Sequence, residues 1–169
     1  GLHHLQNTLA QGWPDRLGNP CFSVWLKEHE AIKLVTFADG AAFGETVSNC
    51  PKGEASVEVL TSVKDSLNGK ILIDISNPLD FSKGFPPTLS VCNTDSLGEQ
   101  IQKALPDTKV VKAFNTMSAP VQVNPKMVAG GDHHIFISGD DAAANNGVNK
   151  LIQEYGWTNI IDLGDITTS

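Results

Sequence analysis

A chain of 169 residues, 40% hydrophobic and 18% charged, has the composition of an ordinary globular domain with a core of its own. Its formal charge of -7 and its 12 scattered Lys and Arg exclude the basic footprint that a phosphate backbone requires, so nucleic acid is not an expected partner. No run approaches the roughly 18 apolar residues of a membrane helix and none has the layout of a signal peptide, so no membrane partner and a cytoplasmic location are expected.

In chain order, residues 1–20, "GLHHLQNTLAQGWPDRLGNP", break every period through Gly and Pro and are predicted irregular, with one domain over 21–169. A short helix is predicted near 22–29, then strands at "KLVTF" (33–37) and "ETVSNC" (45–50) with a brief helical stretch between them. "ASVEVLTSVKDSLNG" (55–69) aligns Val57, Leu60, Val63 and Leu67 on one helical face and stops at Gly69 before a strand over 70–75. The segment 94–105 spaces Leu97, Ile101 and Leu105 by four, and Ser96 with Glu99 forms an S-x-x-E capping box. Strands follow at 109–114 and at "HHIFISG" (133–139). A helix over 140–156 gathers Val148, Leu151, Ile152 and Tyr155, capped by Asp140 or Asp141 and closed by Gly156. "TNIIDLG" (158–164) is the final strand. This alternation of strand-length apolar runs and amphipathic helices is the grammar of βα units around a mostly parallel sheet.

Three strands end in related polar elbows: "TVSNCPKG" (46–53), "IDISNPLDF" (73–81) and "KAFNTMSAP" (112–120). In an open parallel sheet, ligands sit beyond the carboxyl ends of the strands, so these elbows are expected to converge on one site. Short polar side chains on Pro-stiffened backbone position a ligand rather than perform acid–base work. Asn, Ser and Pro also make plain turns, and the repetition of the pattern in three elbows is what favours a site.

The block "GKILIDISNPLDFSKGFPPTLSVCNTDSLGEQIQKALPDTKVVKAFNTMSAPV", with "GGDHHIFISGDD" and "GWTNIIDLGDI" after it, resembles the deazaflavin-dependent NADP oxidoreductase family. The resemblance runs from about Asn7 to the last residue. It implies a Rossmann-like α/β domain of about five strands with flanking helices, binding NADP and passing hydride between nicotinamide and a second redox partner. It implies that Asn49, Cys50 and Pro51 lie beside the cofactor pyrophosphate and ribose. Ser76, Asn77 and Pro78 would sit near the nicotinamide ribose, and Asn115 and Thr116 would line the nicotinamide and acceptor pocket. The acceptor stays open: a deazaflavin, a flavin, a metal chelate or a small carbonyl compound.

The family also opens with a strand, a G-x-G-x-x-G turn and a helix, a unit that supplies amide donors to the pyrophosphate. These residues contain none of it, so the sequence reads as a truncated domain lacking the N-terminal half of its sheet. Strand 46–50 would then be an exposed edge, and 33–37 would lose its neighbour. The competing reading is a non-catalytic module, a homo-oligomer formed through that edge.

No catalytic residue stands out, which suits an enzyme whose cofactor carries the chemistry. The odd count of Cys21, Cys50 and Cys92, far apart and without a CxxC pair, points to reduced thiols and no metal. Cys50 as a hydrolase nucleophile is a weaker alternative to a lining role, because nothing visible would lower its pKa. Asp132-His133-His134 resembles a metal motif but lacks matching ligands elsewhere. His3 and His4 read as incidental, and Trp13, Trp25 and Trp157 as packing residues.

Overall fold

The computed structural model describes residues 8–10, 24–25 and 27–169, which fall into two compact units over residues 1–45 and 46–169. The expected boundary at 20/21, the irregular stretches 1–7 and 11–20, His3, His4, Trp13 and Cys21 lie outside the described residues.

In the first unit, Val24, Trp25, Lys27 and Glu28 are helical. Strand β1 (Thr8–Ala10) pairs in parallel with β2 (Lys33–Val35). Two expectations change here: Thr8–Ala10 is a strand, and the segment from Lys33 keeps a neighbour. Strand β2 stops at Val35 because Thr36 accepts a hydrogen bond from the Asp39 amide, capping helix α1 (Phe37–Phe43).

The second unit is built on a five-stranded sheet in the order β3-β4-β7-β8-β9. Strand β3 (Thr46–Asn49) lies at one end, followed by β4 (Ile71–Asp74), β7 (Lys109–Ala113), β8 (Ile135–Ser138) and β9 (Ile160–Asp162). The sheet is mostly parallel, as expected from sequence: β8 runs antiparallel to β7, with Lys112 opposite Ser138, and the other pairs are parallel. The connection between these two strands carries the short helix α5 (Ala119–Val123) and two 3-10 turns, at Pro125–Met127 and Ala129–Gly131.

The 2-residue period of the strands sends alternate side chains to opposite faces. On one face Ile73, Val111, Ala113, Ile135 and Ile137 meet Ala144, Val148 and Ile152 of helix α6 (Ala142–Glu154) and Trp157 beyond it. The other face holds Leu72 and Val110. Helix α2 (Gly53–Ser62), a short turn α3 (Lys64–Leu67) and α4 (Leu97–Ala104) supply the buried Leu60, Leu67, Leu97 and Ile101, with Leu105 just after α4. The helix expected to run without a break over 55–69 is interrupted at Val63, whose φ of -123° and ψ of 16° leave the helical region. A two-stranded hairpin, β5 (Leu79–Asp80) and β6 (Thr88–Leu89), projects after the second elbow.

The caps follow the sequence. Ser96 Oγ accepts from the Glu99 amide at 3.1 Å, and Asp141 Oδ1 from the Ala144 amide at 2.8 Å. Gly69 and Gly156 take the left-handed conformation at helix ends. The Ala144 amide, with Lys109 3.3 Å away as a further cause, holds the Asp141 carboxyl below its ordinary pKa. A depressed carboxyl adds stability above its unfolded pKa, and that stability fades as pH falls through the folded value. Asp141→Ala is therefore expected to lower the urea midpoint at pH 7, with the difference from wild type closing below about pH 4.

Candidate functional site

Three neighbouring strands of the five-stranded sheet, β3, β4 and β7, are mutually parallel, so the three elbows leave the sheet at the same end. Behind them lies a polar row that the sequence reading missed. The register sets Asn49 beside Asp74, Asp74 beside Lys112 and Lys112 beside Ser138, all four buried. Lys112 Nζ donates to Asp74 Oδ2 at 2.8 Å, an ion pair with essentially no exposure. Asn49 Nδ2 donates to Asp74 Oδ1 at 2.8 Å and to Ser56 Oγ of α2 at 3.0 Å. A buried charge is tolerated only when it is paired and hydrogen-bonded, and Asp74 meets both conditions.

Ser76 is fixed by this pair. Its amide and hydroxyl donate to Asp74 Oδ1 at 3.1 and 2.6 Å, and its carbonyl accepts from Lys112 Nζ at 2.5 Å. The next residue links the second elbow to the third: Asn77 Nδ2 donates to the Asn115 carbonyl at 2.8 Å, and Asn115 Nδ2 donates back to Asn77 Oδ1 at 3.4 Å. Phe114, buried and at φ 63°, turns the chain so that β7 ends and Asn115 enters the elbow. A left-handed Phe costs about 1–2 kcal/mol, a strain held here by its packing and by Gln122 donating to its carbonyl. The first elbow meets the second through Gly53 at the start of α2: a Cβ there would lie 2.2 Å from the Asn77 carbonyl oxygen.

The eight residues singled out from sequence thus divide. Asn49 and Ser76 are 2% and 5% exposed and face inward. Cys50, Pro51, Asn77, Pro78, Asn115 and Thr116 keep exposed or half-buried surface at the elbows. A cavity of about 320 Å³ opens beside the second and third elbows, lined by Asn77, Asn115, Lys112, Cys92 and the start of α4 at Ser96.

Cys50 is exposed as a residue, yet the atoms packed around its sulfur push the thiol above its ordinary pKa, and the negative charge of Asp74 adds to the rise. A raised thiol holds little thiolate at neutral pH, which disfavours the nucleophile reading. Alkylation of Cys50 by iodoacetamide at pH 8, followed by peptide mass mapping, is expected to be slower than that of an unstructured peptide thiol. His133 Nε2 contacts the Pro125 carbonyl at 2.9 Å, and the ring packs edge-on against Trp157, so this His supports the core and the turn after α5. Among the described residues no group of three His, Cys, Asp or Glu has metal-binding proximity.

No family model matches the chain. A crystal structure from Arthrobacter sp. FB24, described as a candidate F420-dependent NADP-reductase, superposes with a TM-score of 0.93 at 51% identity, over 96% of this chain and 76% of that one. The chain belongs to the F420-dependent NADP reductase family. The deazaflavin family resemblance read from "NPLDF" to "VVKAFNT" is thereby confirmed, and the Rossmann-like α/β fold with it. A reductase of this name from Methanocaldococcus jannaschii is 30% identical over 133 residues, covering 78% of this chain and 58% of its own length. The metalloreductase STEAP3 of Rattus norvegicus is 29% identical over 140 residues, 82% of this chain and 26% of that protein. The chain therefore spans just over half of the first of these curated relatives and about a quarter of the second. No described helix is long and apolar enough to cross a membrane.

The residues that sequence reasoning missed in this family member are Asp74, Lys112, Ser56 and Gly53. A signal for the pair was present: Asp74 in "ILIDIS" and Lys112 in "VVKAF" are ionisable residues inside apolar runs. Such residues stay buried only with a partner.

Proposed function

We propose that the chain is an NADP-dependent oxidoreductase that transfers hydride between the nicotinamide and a deazaflavin of the F420 type. The observation that carries this reading is the locking of three elbows at one end of three parallel strands, with Asn77 and Asn115 bonded to each other across the crevice. The names of the reductases from Arthrobacter and Methanocaldococcus supply the cofactor pair.

The residues fit such a cofactor on two counts. The N-cap residue of α2, Lys52, makes no side-chain cap bond, so the positive end of that helix is offered to a phosphate. The cavity, at about 320 Å³, is at the lower end of the volumes that hold small ligands.

In this reading Cys50 and Pro51 touch the ribose and phosphate side, Asn77 and Pro78 the nicotinamide ribose, and Asn115 and Thr116 the nicotinamide and acceptor. Asn49 and Ser76 hold the elbows from behind. The bound cofactor supplies the hydride chemistry, and the protein binds, orients and shields it from water without an acid–base residue of its own.

The test is spectrophotometric: oxidation of NADPH on addition of F420, with FMN as the flavin control. F420-dependent oxidation is expected. Turnover with FMN alone would reassign the acceptor to flavins, and no turnover with either, together with no NADPH binding, would favour the non-catalytic module.

A further inference from the structure

We propose that Asp74 and Lys112 are positioning residues for the nicotinamide side of the site, acting through Ser76 on Asn77; this rests on the NADP reading above. The pair does not itself touch a ligand in this account. It uses every polar group of one elbow residue: the Ser76 amide and hydroxyl on Asp74 Oδ1, and the Ser76 carbonyl on Lys112 Nζ. With Ser76 held at both ends of its backbone, the following residue has little freedom. Asn77 then reaches 2.8 Å to the Asn115 carbonyl and sets the third elbow. Gly53 lies close against the Asn77 carbonyl, with no room for a Cβ between them, so a shift of Asn77 would also press on the start of α2.

A stabilising core contact would need none of this. An apolar pair of similar volume fills a core as well as an ion pair does, and often better. What the ion pair provides is three directed hydrogen bonds to one elbow residue, and direction is what an orienting site requires. The order of action is therefore Lys112 and Asp74, then Ser76, then Asn77, then Asn115.

The experiment measures NADPH affinity by calorimetry for wild type, Lys112→Met, Asn77→Ala and the double variant, each shown to be folded by circular dichroism at the working temperature. If Lys112 acts through Asn77, each single change weakens NADPH about tenfold and the double little more than either alone, because coupled residues are not additive. Effects that multiply to about a hundredfold, or an unchanged affinity in Lys112→Met, would overturn the proposal.

Should Lys112→Met fail to fold, Ser76→Ala keeps both charges and removes only the two hydroxyl bonds, to Asp74 Oδ1 and from Asn49 Nδ2; it is expected to weaken NADPH a few-fold and to be non-additive with Asn77→Ala in the same way. If wild type binds no NADPH, the reductase reading fails, and the positioning inference is decided by amide hydrogen exchange in the free protein. Exchange at Ser76 and Asn77 should then quicken selectively in the variant, relative to the amides of β8. Equal quickening across both, or none at Ser76 and Asn77, would overturn it.

Discussion

Lys112→Met is expected to lower the free energy of unfolding by about 3–5 kcal/mol, the range for removing one partner of a buried ion pair. The size follows from what is left behind. Asp74 is 0% exposed, and without the ammonium its carboxylate keeps only the neutral donors Asn49 Nδ2, Ser76 Oγ and the Ser76 amide. Adding Asp74→Asn removes the charge and preserves an acceptor for those three donors. The double variant is therefore expected to recover a large part of the loss. Urea unfolding measures both, and the m-value shows whether the denatured state has changed as well. A Lys112→Met protein within about 0.5 kcal/mol of wild type, the ordinary scatter of surface substitutions, would mean that the pair is not buried as described.

Gly53→Ala is expected to destabilise by about 1–3 kcal/mol, although alanine is the better helix former by about 1 kcal/mol. The added methyl would lie 2.2 Å from the Asn77 carbonyl oxygen, 2.7 Å from its carbon and 2.9 Å from Leu97 Cδ2. Two of these are backbone atoms of the second elbow, which cannot rotate aside. Either α2 or the elbow must move, and the site is distorted with it. Gly147→Ala is the matched control inside α6, where the added Cβ meets nothing closer than Ile71 Cδ1 at 3.4 Å. That change is expected to stabilise by about 0.5–1 kcal/mol. Thermal unfolding of the two variants should thus shift in opposite directions.

The parts of this fold that were legible in the sequence are the parts fixed locally. Ser96, Asp141, Gly69 and Gly156 mark helix ends through bonds and backbone angles within a few residues, and each acts where the sequence placed it. The strands of the large sheet were legible from their apolar runs, to within a residue or two at their ends. The direction of β8 was not. It depends on how the chain crosses from Asn115 to His134, where the short α5 and its 3-10 turns carry no long amphipathic period. The pairing of Thr8–Ala10 with β2 was equally hidden, since three residues among Gly and Pro give no pattern.

The candidate site shows the same division. That the elbows share one end of the sheet follows from parallel strands and could be read in advance. Which elbow residues face inward could not, because Asn49 and Ser76 turn toward Asp74 only once the register is known. The Asp74–Lys112 pair joins residues 38 apart in the chain, a contact that no local pattern encodes.

In the proposed function, the bridged second and third elbows form the nicotinamide side of an NADP site. Calorimetric titration of NADPH into wild type and Asn77→Ala tests it most directly. Wild type is expected to bind with a Kd between about 1 μM and 1 mM, the usual range for enzyme substrates, and Asn77→Ala at least about tenfold more weakly. Equal affinity in the two proteins, or no heat of binding to wild type at millimolar NADPH, would contradict it.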